Sequence, residues 1–143
     1  MTRHFLAALL LAAASGAACA QAGADPAGQA IFDQIVLTSG AANGAARTCG
    51  ASAPDLAQHA ETWRLNLRRY ADEYHYAIDS FDERYARGQQ EGAEMMADMR
   101  ASGVDGCTGA LASFQRERTM TYDEMKQAIA EATDGLPEDQ PAD

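Results

Sequence analysis

Lysine occurs once in this chain, at Lys126, and tryptophan once, at Trp63. No C-x-x-C-H is present, which excludes covalently attached c-type haem. G-x-S-x-G, H-E-x-x-H and a phosphate-cradling glycine loop are also missing, so the signatures of serine hydrolases, zinc proteases and nucleotide-binding enzymes are absent. β-Branched residues are scarce and no stretch alternates apolar with polar positions, which argues against sheet. No apolar run approaches the ~20 residues needed to cross a bilayer as a helix. What is abundant is Ala, Glu, Arg, Gln and Met, the composition of helix. An all-α fold is expected.

Charge of one sign is also short. The chain carries 11 basic and 21 acidic side chains, a net charge of −10. Such a surface repels phosphate backbones and anionic headgroups, so neither nucleic acid nor membrane insertion is expected. A basic protein is the electrostatically matched partner.

Residues 1–20 read as a cleavable export signal. Arg3 and His4 open it, Phe5–Ala14 supplies an apolar stretch, and Ala18-Cys19-Ala20 offers small residues for cleavage. A lipoprotein signal would place leucine where Gly16 stands. Cleavage after Ala20 removes Cys19 and leaves Cys49 and Cys107, an even count. In an oxidising compartment, periplasmic or secreted, this pair should form a disulfide. Closing a loop of roughly 60 residues contributes on the order of 4 kcal/mol. Without Arg3, ten basic side chains face 21 acidic ones.

Four segments follow from this reading: 1–20 as signal, 21–52 as a short helix and linker, 53–134 as the helical core domain, and 135–143 as a disordered acidic tail. Asp25-Pro26 suits a helix start, with Ile31, Ile35 and Val36 turned inward as far as about Thr38. Ser39–Ala46 (SGAANGAA) reads as a flexible linker because of its glycines and Asn43. Leu56, Ala60, Trp63, Leu67, Tyr70, Tyr74 and Ala77 then fall at steps of three and four. Phe81, Tyr85, Gly88, Gly92, Met95 and Met99 continue the same stripe.

One straight helix of that length would hold Cys49 and Cys107 far beyond disulfide reach. The chain must therefore reverse. Asp79-Ser80-Phe81-Asp82-Glu83 lies near the midpoint, and Ser80 with Glu83 matches a capping box. The expected architecture is an antiparallel helical hairpin, 53–78 and 81–102, stapled by the disulfide and flanked by shorter helices. Gly88 and Gly92, four apart, would let a neighbouring helix come close. Thr121 and Glu124 form a second capping box, opening a helix with Tyr122, Met125 and Ile129 on one face.

Candidate chemistry is sparse. Asp72, His75 and Asp79 share a helix face at a spacing suited to zinc or copper, though three ligands on one helix leave the site open. Met95, Met96 and Met99 form M-M-x-x-M, soft thioethers suited to Cu(I), although methionine is also common core filler. Tyr76 lies off the stripe and is the candidate for an exposed contact. His59 and His75 are the only histidines beyond the signal, and on one straight helix they cannot converge.

No catalytic residue, cofactor or metal ligand is assigned, and the chain is expected not to be an enzyme. In layout it is similar to small periplasmic helical proteins with one disulfide, such as acid-stress chaperones and effector-immunity proteins. That likeness carries no residue across. The expected function is an exported protein-binding module (inhibitor, immunity or chaperone-like), with a periplasmic carrier of copper or a small ligand as the alternative.

Overall fold

The computed structural model describes residues 25–133. The expected signal, 1–20, and the expected tail, 135–143, lie outside them. Five helices follow in order: α1 (Pro26–Thr48), α2 (Ala53–Tyr74), α3 (Phe81–Ala101), α4 (Cys107–Glu117) and α5 (Tyr122–Thr133). No strand occurs among the described residues. The all-α expectation holds, and Cys49 and Cys107 are bonded, with Cα atoms 5.4 Å apart.

The helix ends follow local chemistry. The Asp25 carboxylate accepts from the amides of Ala27 and Gly28, each at 3.2 Å, and Pro26 occupies the first turn of α1. Gly50, with φ of 90°, lets the chain leave α1. Ser52 then caps α2, its hydroxyl accepting from the Asp55 amide. His75 ends α2 in the left-handed region, the only non-glycine residue there among those described. The capping box that opens α5 is reciprocal: Thr121 N–H donates to Glu124 and Glu124 N–H to the Thr121 hydroxyl. At α3 the expected box does not form. The Ser80 hydroxyl instead accepts from Arg84 Nε at 2.8 Å, while Asp82 and Glu83 still place negative charge in the first turn.

The main correction concerns residues 39–46. They are not a linker but the second half of α1, a continuous helix through Thr48. Gly40 and Gly44 lie against the backbone carbonyls of Tyr85 and Gln89, and Gly88 and Gly92 against those of Leu37 and Ala41. A Cβ at any of the four would collide with the facing carbonyl. Both sets of pairs ascend together, so α1 and α3 run parallel and touch backbone to backbone. Interhelical contact offsets the helical penalty of glycine, about 1 kcal/mol each. The linker reading fails because composition alone does not separate a flexible stretch from a helix face made of small residues.

The reversal expected near the middle of the stripe is present at residues 75–80. Yet the closest neighbour of α3 is α1 rather than its expected hairpin partner α2. The staple accordingly joins Cys49, which caps the C-terminus of α1, to Cys107, the first residue of α4.

The core is built from Phe32 and Val36 of α1, Leu67 and Ala71 of α2, Phe81 and Tyr85 of α3, and Tyr122, Met125 and Ile129 of α5. Burying each large side chain contributes about 1.5–3 kcal/mol. Ile31, expected inward, is exposed, and Phe32 takes its place. Met95 is likewise exposed and Met96 buried, a shift of one position along the stripe.

Candidate functional site

His59 is fully buried on α2, stacked on the Phe114 ring of α4 with centroids 4.8 Å apart. Both ring nitrogens are engaged. Nδ1 lies 3.2 Å from Asn43 Nδ2, and Nε2 lies 3.2 Å from Glu117 Oε2. Asn43 fixes the proton positions. Its amide nitrogen donates to the Leu56 carbonyl at 3.0 Å, and its Oδ1 accepts from Gln89 at 2.9 Å. The nitrogen facing His59 is therefore a donor, so Nδ1 accepts and the Nε2–H donates to Glu117. Glu117 Oε2 also accepts from Trp63 Nε1 at 3.3 Å.

This network joins α1, α2, α3 and α4 through neutral donors. Removing one partner would leave buried polar groups unpaired, at about 1–3 kcal/mol. Residues read as linker and as off-stripe polar positions thus form the best-connected polar centre. Its only sequence signal is Asn43, a polar residue within a run of small ones that the seam covers.

Around the centre, Arg118 of the α4–α5 turn pairs with Asp55, and its carbonyl accepts from Thr62 at 2.8 Å. Glu117 has no lysine or arginine within ion-pair distance among the described residues; Arg118 faces Asp55 and Arg116 donates to Ser113. Beside it, α5 stands away from α1 and leaves a cleft of about 280 Å³.

A second feature lies at the disulfide end. Met95 and Val104 are each about half exposed, and with Met99 they form an apolar depression edged by Glu91, Glu94 and Asp98. Arg87 pairs with Glu91, but Glu94 and Asp98 have no cationic partner among the described residues. Arg100 turns away, donating to the Thr48 carbonyl. The M-M-x-x-M residues do not share one face: Met96 packs beneath Gly106 with the end of Met99, while Met95 lies outside.

The other proposed ligand set does not assemble. His75 is an exposed helix cap, and among the described residues no group of three or more His, Cys, Asp or Glu side chains is placed to share a metal ion. Tyr76, expected as an exposed contact, packs on the core. It lies 5.5 Å from the Phe32 ring, with its hydroxyl against Gly28. Tyr70 and Tyr74 adjoin it, their centroids 4.5 Å apart.

On α5, Lys126 donates to Glu73 Oε1 and Tyr122 to Glu73 Oε2, both at 2.5 Å. Hydrogen bonds from Lys126 and then Tyr122 hold the Glu73 carboxyl below its usual range. Burial, followed by the bond to Glu73, pushes the Tyr122 phenol up to about 12. No described helix is long and apolar enough to cross a membrane. Compared with protein-family models, curated proteins and solved structures, the chain has no match in any of the three.

Proposed function

We propose that the protein is an exported, non-enzymatic binding module whose partner is a basic amphipathic protein segment. The observation that supports it is the depression at the disulfide end. Half-exposed Met95 and Val104 sit beside two carboxylates, Glu94 and Asp98, that lack a cationic partner among the described residues. Methionine adapts to varied apolar surfaces, and the acidic edge selects Lys- or Arg-bearing segments and speeds their approach. The disulfide fits an oxidising compartment.

The test uses a designed Leu/Lys amphipathic helix and its Leu/Glu counterpart as probes, with binding followed by chemical shifts of the methionine methyls. The Leu/Lys helix should bind and perturb Met95 and Met99, with association slowing as salt rises. Met95→Asp separates this reading from general charge attraction. It adds negative charge while removing the apolar contact, so binding should weaken. Unchanged or tighter binding by that variant, or perturbation elsewhere, would overturn the proposal.

A further inference from the structure

A cleft of about 280 Å³ separates α1 from α5, walled by Ile35, Trp63, Met125 and Ile129, with Glu117 among its lining residues. Its volume sits just below the ~300 Å³ at which drug-sized pockets begin. The chemistry around Glu117 is unusual. Its Oε2 takes two hydrogen bonds, from His59 and Trp63, while Oε1 takes none from the described residues. The donors are neutral, because Asn43 requires His59 Nδ1 to be an acceptor. The Glu117 side chain is about one-fifth exposed and lines the cleft together with its apolar residues.

A carboxylate held at an apolar surface without a counter-ion favours a ligand that supplies one. We infer that the cleft binds a small apolar molecule carrying a protonated amine, with the ammonium on Glu117 Oε1 and the apolar body against Trp63, Ile35 and Ile129. The inference is independent of the surface at the disulfide end, which lies on other residues. Residues 134–143 would be poor occupants on charge grounds, since Asp134, Glu138, Asp139 and Asp143 repeat the sign of Glu117.

Trp63, the only tryptophan, lines the cleft and reports on it directly. Titrating the oxidised full-length protein with phenethylamine should shift Trp63 emission saturably. Phenethyl alcohol, of the same shape but neutral, should bind on the order of tenfold more weakly. Glu117→Gln should abolish that preference while leaving alcohol binding in place. Should that variant fold poorly, Ala128→Phe serves instead: Ala128 is exposed at the cleft mouth, and the new side chain should block both probes while Trp63 stays the only tryptophan. In that variant Met95 methyl shifts serve as a fold control, because Met95 lies outside the cleft. Equal affinity for amine and alcohol, no saturable response to either, or undiminished binding by Ala128→Phe would overturn the inference. So would emission that moves with protein concentration alone, which would assign the cleft to a second copy of the chain.

Discussion

The α1–α3 seam and the α5 side of the molecule solve helix packing in opposite ways. Across the seam the contacting residues are Gly40, Gly44, Gly88 and Gly92, and backbone meets backbone. On the other side α5 approaches through Tyr122, Met125 and Ile129, side chains large enough to hold the helices apart. The seam therefore has no room for a ligand, and the cleft opens where bulky residues keep α5 away from α1. Stability in the first region rests on the absence of side chains. In the second it rests on their particular partners, Glu73 with Lys126 and Tyr122.

The disulfide ties the end of α1, one side of the seam, to the start of α4, so reduction is the largest perturbation expected. Freeing the Cys49–Cys107 loop should remove about 4 kcal/mol and lower Tm by about 15 °C or more. The loss should be uneven. Amide exchange should rise first in α4 and α5, because α1 and α3 keep the seam without the covalent bond. Exchange that rises equally in all five helices would show that the seam is not self-supporting.

Next in size is Gly44→Ala. The added methyl would meet the Gln89 carbonyl, which is backbone and cannot rotate away. A loss of about 3 kcal/mol is expected by thermal or denaturant unfolding, at the upper end for overpacking. Gly109→Ala is its control. Gly109 lies within α4, and a Cβ there meets nothing. That variant should gain about 0.5–1 kcal/mol from helix propensity alone. Equal effects of the two substitutions would remove the seam from the explanation.

Much of this architecture is legible before any coordinates. Cysteine parity identifies the bridge, Asp25-Pro26 and Thr121–Glu124 mark real helix starts, and the reversal falls at 75–80. What is not legible is non-local. Residues 39–46 carry the composition of a linker, and only α3 lying against them explains Gly40 and Gly44 as a contact face. The stripe through Met95 has the right period but the wrong phase at its end, because α3 turns Met96 toward the α4 start. His59 stands off the apolar stripe of α2. Its burial depends on Asn43 and Glu117, one of them within the supposed linker and the other in a later helix. Periodicity reports the face of a helix, not the helix that will cover it.

Alkaline pH should affect the α5 side through Tyr122. Its folded pKa is raised, to about 12, by burial and by Glu73. The unfolded phenol titrates near 10, so the folded protein holds its proton longer. The contribution is complete below about pH 10 and is lost as pH rises through about 12. Ultraviolet titration of tyrosinate alongside unfolding should show both. Tyr122→Phe should remove this dependence and, by deleting the bond to Glu73, weaken the fold by about 1–2 kcal/mol at neutral pH. A neutral-pH stability equal to that of the parent would show that the Glu73 contact is dispensable.

Tyr85 makes the matching test on the seam side, with the smallest effect and the opposite sign. Its ring is buried on α3 and stacks with Phe81 at 6.0 Å, while its hydroxyl is buried without a hydrogen-bond partner among the described residues. Burial drives its phenol well above the ordinary value. Tyr85→Phe keeps the ring and its stacking and deletes a hydroxyl desolvated without compensation. The expected result is a gain of up to about 1 kcal/mol at neutral pH, read from the denaturant midpoint at unchanged slope. Because the folded pKa is raised, the parent also loses stability above about pH 10 through this group. The variant should therefore hold its advantage, or widen it, on the alkaline side. Tyr122→Phe should start lower at neutral pH and draw closer to the parent as the base strengthens. If Tyr85→Phe instead weakens the protein by about 1 kcal/mol or more, its hydroxyl has a partner. The α1–α3 region would then depend on specific polar contacts, as the α5 side does, and the contrast between the two would lie in helix spacing alone.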